Sequence, residues 1–103
     1  MIAQVYLLKR LPRRFTFFDY NIPDHIKLNI GDLVRVPFKG RGMLGVVKNI
    51  SEKSEFDSLL HIESIAIASL MESVDIERIE SIASSIIQSP STVLYAAFQG
   101  LCK

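Results

Sequence analysis

The fold is decided by residues 31–42, which read Gly-Asp-Leu-Val-Arg-Val-Pro-Phe-Lys-Gly-Arg-Gly. The turn pair Gly31-Asp32 opens an apolar, β-branched run at 33–38, and a second such run follows at 43–50. Two runs of this kind that are separated by a short glycine-containing segment are typical of a β-hairpin. The sequence therefore predicts two antiparallel strands, 33–38 and 43–50, joined by a tight basic turn.

Side chains alternate between the two faces of a strand, and this alternation sorts the residues of the first predicted strand. Val34, Val36 and Phe38 fall on one face, which we expect to point into a core. Arg35 falls on the other face and is expected to meet solvent or a ligand. Pro37 cannot donate a backbone hydrogen bond, so it marks a sheet edge or a strand end.

Three further strands are predicted at residues 2–8, 17–22 and 59–66, where short apolar runs are bounded by proline or polar residues. In the last of these, Leu60, Ile62 and Ser64 are expected to share one face. Short connections between successive strands favour antiparallel meanders over parallel units. The first half of the chain therefore predicts a small antiparallel sheet.

From residue 74 the apolar spacing becomes helical. The predicted buried face consists of Ile76, Ile79, Ala83, Ile86 and Ile87, and the predicted polar face consists of Glu77, Glu80, Ser81, Ser84 and Ser85. A second short helix is predicted at 92–98, with Ser91 as its cap. The fold class is thus mainly β with C-terminal helices: a small antiparallel β-barrel or curled sheet at 1–70, followed by one or two α-helices at 71–103 that form a helical tail toward a following domain.

The charges of the chain are divided unevenly, although its formal net charge is only +1. Residues 1–53 carry ten Lys or Arg against four acidic residues, a balance of +6. The remaining residues carry two cations against seven acidic residues, a balance of −5. A basic half of this kind is typical of a phosphate-binding face, whereas the acidic half suits a solvated helix or a contact with another domain.

Signals of enzyme chemistry are weak in these 103 residues. His25 and His61 have no partner at metal-ligand spacing, Asp19 has no paired carboxylate, and there is no Gly-Lys-Ser/Thr loop for ATP. No enzyme, cofactor or metal is therefore predicted. The single cysteine, Cys102, excludes an internal disulfide, and no apolar run reaches the ~18 residues of a membrane span, so we expect a cytoplasmic protein.

The stretch Phe17-Phe18-Asp19-Tyr20 indicates binding of nucleic acid instead. Aromatic rings can stack on any base, and nearby cations can contact phosphates; the candidates for phosphate contact are Arg13, Arg14, Arg35 and Arg41. Alternation places Phe18 and Tyr20 on one face and Phe17 and Asp19 on the other. Phe18 and Asp19 can therefore share a pocket only at a strand end or bend.

The order of these motifs resembles the amino-terminal domain of primosomal protein N-prime, the PriA family of replication-restart helicases. The resemblance covers residues 3–50 and rests on Phe18-Asp19-Tyr20, a proline three residues later, Gly31, the Val-Arg-Val-Pro-Phe strand at 34–38 and Gly45-Val46-Val47. It implies a domain that binds the 3′ end of a nascent leading DNA strand at a stalled fork, with little sequence specificity, and that belongs to an ATP-dependent 3′-to-5′ DNA helicase.

The resemblance also implies the site residues and partners. The terminal base of the DNA would be held by Phe18, Asp19 and Tyr20. Where the family has a glycine after Pro-Phe, this chain has Lys39 followed by Gly40. The point at which the backbone comes close to the bound DNA end is then shifted by one residue. The family also has a pocket lysine on the later strand, and this chain has Leu60 or His61 near that place instead of a lysine. The implied partners are a single-stranded 3′ end or branched fork DNA, and other primosome proteins.

Two other functions remain open at this point. The chain could be a protein-interaction module that docks a partner through its acidic helix, whose carboxylates are Glu72, Asp75, Glu77 and Glu80. It could also be an SH3-like barrel that binds RNA and shares only the Gly-Asp-x-Val turn. Phosphate binding falls steeply with salt and apolar docking does not, so salt dependence separates DNA binding from docking.

Overall fold

The computed structural model describes residues 1–12, 17–52 and 60–98. Its strands are β1 (Ile2–Leu7), β2 (Phe18–Asn21), β3 (Leu33–Phe38), β4 (Arg41–Ser51) and β5 (Ser64–Ile67), and its helices are α1 (Ser73–Ser85) and α2 (Pro90–Ala97). The predicted mainly β architecture with C-terminal helices is confirmed. Within the described residues, no helix is long and apolar enough to cross a bilayer.

The five strands form one antiparallel sheet in the order β2-β1-β4-β3-β5. The predicted hairpin is β3–β4, in which Phe38 pairs with Arg41 across the two-residue turn Lys39-Gly40. Both turn residues have positive φ, 50° and 77°, as in the type I′ turns that match the twist of a hairpin. Lysine tolerates this region poorly, so the pairing of the two strands holds Lys39 there.

The sheet is curled but not closed. Residues 60–63, which precede β5, connect the edge strand β2 to β3. On the β2 side, Asn21 N–H donates to Leu60 O (2.9 Å) and Ile62 N–H donates to Asn21 O (3.0 Å). On the β3 side, Glu63 N–H donates to Arg35 O (2.9 Å). The predicted strand at 59–66 was therefore placed too early, since β5 begins only at Ser64. Leu60 is 59% exposed, and the buried Ile62 is followed three residues later by the half-buried Ile65. Simple alternation fails here because the chain changes neighbours between the two residues.

Apolar side chains pack on both faces of the sheet. The cluster inside the curl contains Ala3, Val5, Leu7, Tyr20, Val34, Val36, Val47 and Ile62. The cluster on the other face contains Tyr6, Leu8, Leu33, Val46, Met71, Ile76 and Leu94. Since α1 supplies Ile76 and α2 supplies Leu94, the helices share a core with the sheet.

Both helices begin and end differently from the prediction. Helix α1 ends at Ser85, so Ile86 and Ile87 lie beyond it and are 56% and 65% exposed instead of buried. The cap of α2 is Ser89, whose Oγ accepts a hydrogen bond from Thr92 N–H (3.1 Å), and Pro90 is its first residue. The predicted cap Ser91 is fully buried within the helix. Proline suits the first helical turn because its missing N–H would have no partner there.

Glu80 faces the sheet, although it was predicted on the polar face of α1. Its carboxylate accepts a hydrogen bond from the Tyr6 hydroxyl, and the Lys48 ammonium lies 3.4 Å away. Burial and the neighbouring carboxylate raise the pKa of Tyr6. The same ammonium lies 5.3 Å from the centre of the Tyr6 ring and 4.8 Å from that of Phe17. This cluster connects α1 to β1 and β4.

Candidate nucleic-acid interface

Strand direction brings the basic ends of several strands to one rim of the sheet. Strands β1 and β3 are both antiparallel to β4, so they run in the same direction and end at the same rim, where β2 and β4 begin. The residues at this rim are Lys9 and Arg10 after β1, Phe18 at the start of β2, Phe38 to Gly40 at the end of β3, and Arg41 at the start of β4. Aromatic rings and cations far apart in sequence therefore meet.

A cavity of about 340 Å³ opens at this rim, lined by Lys9, Arg10, Leu11, Pro12, Phe18, Phe38 and Lys39. The rings of Phe18 and Phe38 meet edge to face, with centroids 5.2 Å apart and an interplanar angle of 67°. The ammonium groups of Lys9 and Lys39 lie 5.3 Å and 5.5 Å from the centre of the Phe38 ring. A flat apolar group can stack on these rings while the ammonium groups contact an anion. A nucleotide combines both groups, since it carries a flat base and a charged phosphate.

The candidate residues from the sequence fall in different places around this cavity. Phe18 and Lys39 line it, and the exposed Gly40 of the β3–β4 turn and Arg41 at the start of β4 follow Lys39 directly. Arg35 is exposed, as predicted, on the strand that leads to the rim. Arg13 and Arg14 lie outside the described residues. The structure thus brings one ring and one cation of the predicted set into contact with the cavity.

Tyr20 lies inside the curl and is 3% exposed. Its hydroxyl donates a hydrogen bond to Pro37 O (2.8 Å), which ties β2 to the residue before Phe38. Burial raises the pKa of the Tyr20 hydroxyl to about 12. Tyr20 is therefore placed to support the cavity from beneath.

We expect the stability of the domain to fall in strong alkali because of Tyr20. The folded state holds the phenolic proton to a pKa of about 12, against 10.0 for an ordinary tyrosine. The stabilisation is thus fully present below pH 10 and is lost as the pH rises to about 12, a loss on the order of 2 kcal/mol. Urea unfolding at pH 9 to 12 measures it. In Tyr20→Phe the free energy of unfolding should fall less steeply with pH, and the fall that is left should be the part due to the raised pKa of Tyr6. A fall as steep as that of the wild type would contradict the role given to the Tyr20 hydroxyl.

Asp19 is half-buried and lies on the opposite face of β2 from Phe18, as alternation predicted. It is opposite Gln4 in the pairing with β1. On its other side, β2 is bonded by residues 60–62 at Asn21, the end of the strand opposite to the rim. The structure thus places Asp19 beside the Phe18–Phe38 cavity, across the strand, and does not make it part of the lining.

Sequence reasoning missed Lys9, Arg10 and Phe38 as members of this site. Phe38 was predicted as a core residue, and it packs partly on the inner cluster while also lining the cavity. The signal that could have found all three is strand direction, since two strands that flank a common antiparallel neighbour end at one rim. Within residues 1–12, 17–52 and 60–98, no three His, Cys, Asp or Glu side chains come together as a metal site requires.

Comparison with known proteins identifies the family. A family model described as the 3′ DNA-binding domain (3′BD) of PriA matches residues 7–99. The replication restart protein PriA of Rickettsia conorii (strain ATCC VR-613 / Malish 7) is 49% identical over 37 residues, which are 36% of this chain and 6% of that protein. The match thus spans a small fraction of the relative's length. Because the family model covers most of the chain, the expected resemblance is confirmed: the chain belongs to the PriA 3′ DNA-binding domain family, which indicates DNA binding in replication restart.

Proposed function

We propose that this chain binds the 3′ end of the nascent leading strand at stalled replication forks, with little sequence specificity. The observation that supports this best is the rim cavity, where Phe18 and Phe38 form an aromatic wall beneath the ammonium groups of Lys9 and Lys39. Stacking depends little on base identity, because every base has an aromatic face. The wall therefore suits an end of any sequence.

We propose that the terminal nucleotide lies across the start of β2. There it reaches the Phe18 ring on one face of the strand and the Asp19 carboxylate on the other. Tyr20 supports the start of β2 from inside the curl through its hydrogen bond to Pro37 O. The turn Lys39-Gly40 borders the nucleotide on the side of β3 and β4. Arg35 and Arg41 are proposed to contact phosphates, since both are exposed and carry permanent charge.

Asp19 offers a physical reason for selecting an end. Each of the four bases carries at least one hydrogen-bond donor, so a fixed carboxylate can accept from any terminal base. A nucleotide in mid-strand would bring a further phosphate toward the carboxylate, and like charges repel. A free 3′ hydroxyl avoids this repulsion. Stacking of one base contributes about 1–3 kcal/mol, so we expect micromolar or weaker affinity.

The test is a fluorescence-anisotropy titration at low salt with three oligonucleotides of one sequence. One has a free 3′ hydroxyl, one has a 3′ phosphate, and one has only its 5′ end accessible. We expect the first to bind best and its affinity to fall steeply with salt. Equal affinities for all three would leave DNA binding in place but contradict recognition of the end.

Asp19→Asn is expected to weaken this discrimination. The neutral amide no longer repels a 3′ phosphate, so the ratio of the affinities for hydroxyl and phosphate ends should fall several-fold toward one. The same titration measures that ratio, and Asp24→Asn, an exposed acid in the loop after β2, is the matched charge control. An Asp19→Asn ratio equal to that of the wild type would contradict the role given to this carboxylate.

The acidic helix has less capacity for docking than its sequence suggested. Glu80 bonds to Tyr6, and Asp75 accepts a hydrogen bond from Glu72 N–H (3.0 Å) at the start of α1. Glu72 and Asp75 form a capping box in which the Glu72 side chain accepts from the Asp75 backbone, so three of the four carboxylates have partners within the domain. Since the relative matched above is much longer than this chain, we propose that residues 71–103 lead toward a following domain and that other primosome proteins are further partners.

A further inference from the structure

A second cavity lies next to the rim cavity, between the chain after β1 and helix α2. Its volume is about 470 Å³, and it is lined by Arg10, Leu11, Pro12, Gln88, Thr92 and Ala96. Residues 10–12 line both cavities and form the wall between them. Both volumes fall in the range of about 300–1,000 Å³ that is usual for small-molecule sites. The two cavities could thus hold neighbouring units of one ligand.

The wall between the cavities is fixed to α2 by hydrogen bonds. Leu11 N–H donates to Thr92 Oγ1 (3.1 Å), and Leu11 O accepts from Ser89 Oγ (2.9 Å) and Thr92 Oγ1 (3.2 Å). Both backbone groups of Leu11 are therefore held by the first turn of α2. A preformed wall binds a ligand without the entropic cost of ordering a loop.

The charges at the second cavity favour an anion. Arg10 is exposed, and its guanidinium carbon lies 5.8 Å from the centre of the Tyr95 ring. Gln88 and Thr92 add uncharged polar groups to the lining. The sequence has no acidic residue after Glu80, so α2 carries no carboxylate that would repel a phosphate. The acidity of the second half of the chain is thus confined to the part before this helix.

We propose that the second cavity binds the penultimate nucleotide of the DNA strand, an inference that rests on the proposed function. The terminal nucleotide occupies the rim cavity, and the strand crosses residues 10–12, where the Arg10 guanidinium contacts the linking phosphate. The next base enters the space beside α2, where Gln88 can donate to it or accept from it. Helix α2 is thereby a DNA-contacting element.

The test compares thymidine 5′-monophosphate with the dinucleotide d(TpT) by NMR titration of the full chain. Both probes have a free 3′ hydroxyl, and only d(TpT) can reach the second cavity. We expect wild-type protein to bind d(TpT) about tenfold more tightly, with shifts of the α2 amide signals. Ala96→Leu fills the cavity and should reduce this gain to about twofold or less, while affinity for the monophosphate stays unchanged.

Ala97→Leu is the matched control, because Ala97 is the next exposed residue of α2 and does not line the cavity. It should keep the tenfold gain. If Ala96→Leu keeps the gain as well, the second subsite is wrong while recognition of the end stands. If wild-type protein binds neither probe nor a longer oligonucleotide, the proposed function fails and this inference fails with it.

Discussion

Replacing Gly31 by alanine is expected to destabilise the protein severely, lowering the free energy of unfolding by at least about 4 kcal/mol. Gly31 has a φ of +93°, a region that residues with a Cβ avoid. A Cβ at this position would lie 1.7 Å from the carbonyl oxygen of Met71. That contact is far inside van der Waals distance, and the atom it meets belongs to the backbone, so no rotation of a side chain relieves it.

The backbone around Gly31 cannot move away from Met71, because hydrogen bonds connect it to β4, to Met71 itself and to the segments before and after it. Gly31 N–H donates to Val47 O (2.8 Å), and Gly31 O accepts from Met71 N–H (3.1 Å). The buried carboxylate of Asp32 accepts from Asn29 N–H (2.8 Å) and Ser69 N–H (2.7 Å). The Gly-Asp pair thus connects the entry to β3 with β4 and with the turn after β5. A shift that admits a methyl group would break several of these bonds together.

Urea unfolding followed by circular dichroism measures the effect, and Gly42→Ala is its control. Gly42 lies in β4, and the nearest atom to an added Cβ is 3.7 Å away, an ordinary contact. We expect this change to alter the free energy of unfolding by less than about 1 kcal/mol. If Gly31→Ala unfolds at the same urea concentration as Gly42→Ala, the close approach of Gly31 and Met71 does not exist in solution.

The local parts of this fold could be predicted from the sequence. The β3–β4 hairpin follows from alternation within 33–38 and from the glycine of its turn, and β3 was predicted at the bounds observed for it. The opposite faces of Phe18 and Asp19 follow from the same period of two. Each of these features depends on neighbours within a few positions along the chain.

Features that depend on distant contacts could not be predicted in this way. The start of β5 is set by hydrogen bonds from residues 60–63 to β2 and β3, which no short pattern contains. Glu80 turns inward because Tyr6 and Lys48, more than thirty residues away, surround it. The rim cavity joins Lys9, Phe18 and Phe38 from three strands. Their proximity depends on the order of the strands in the sheet, which composition and spacing leave open.

Loss of the aromatic wall is expected to have the largest effect on DNA binding. Phe18→Leu and Phe38→Leu should each weaken binding of an oligonucleotide with a free 3′ hydroxyl by about 5-fold to 160-fold, because stacking of a base on one ring contributes about 1–3 kcal/mol. Leucine keeps an apolar side chain at both half-buried positions, so we expect the fold to persist, with a stability change of less than about 1.5 kcal/mol. Fluorescence anisotropy at low salt measures the affinities.

Phe17→Leu is the matched control for this experiment, since Phe17 is the adjacent ring of the same stretch and packs on the helix-covered face of the sheet. Lys48 lies over it, 4.8 Å from its ring centre. If the terminal base stacks in the rim cavity, Phe17→Leu leaves the affinity within about twofold of the wild type. A larger loss from Phe17→Leu than from Phe18→Leu and Phe38→Leu would overturn the rim cavity as the stacking site. It would place the base on the face of β2 that carries Asp19.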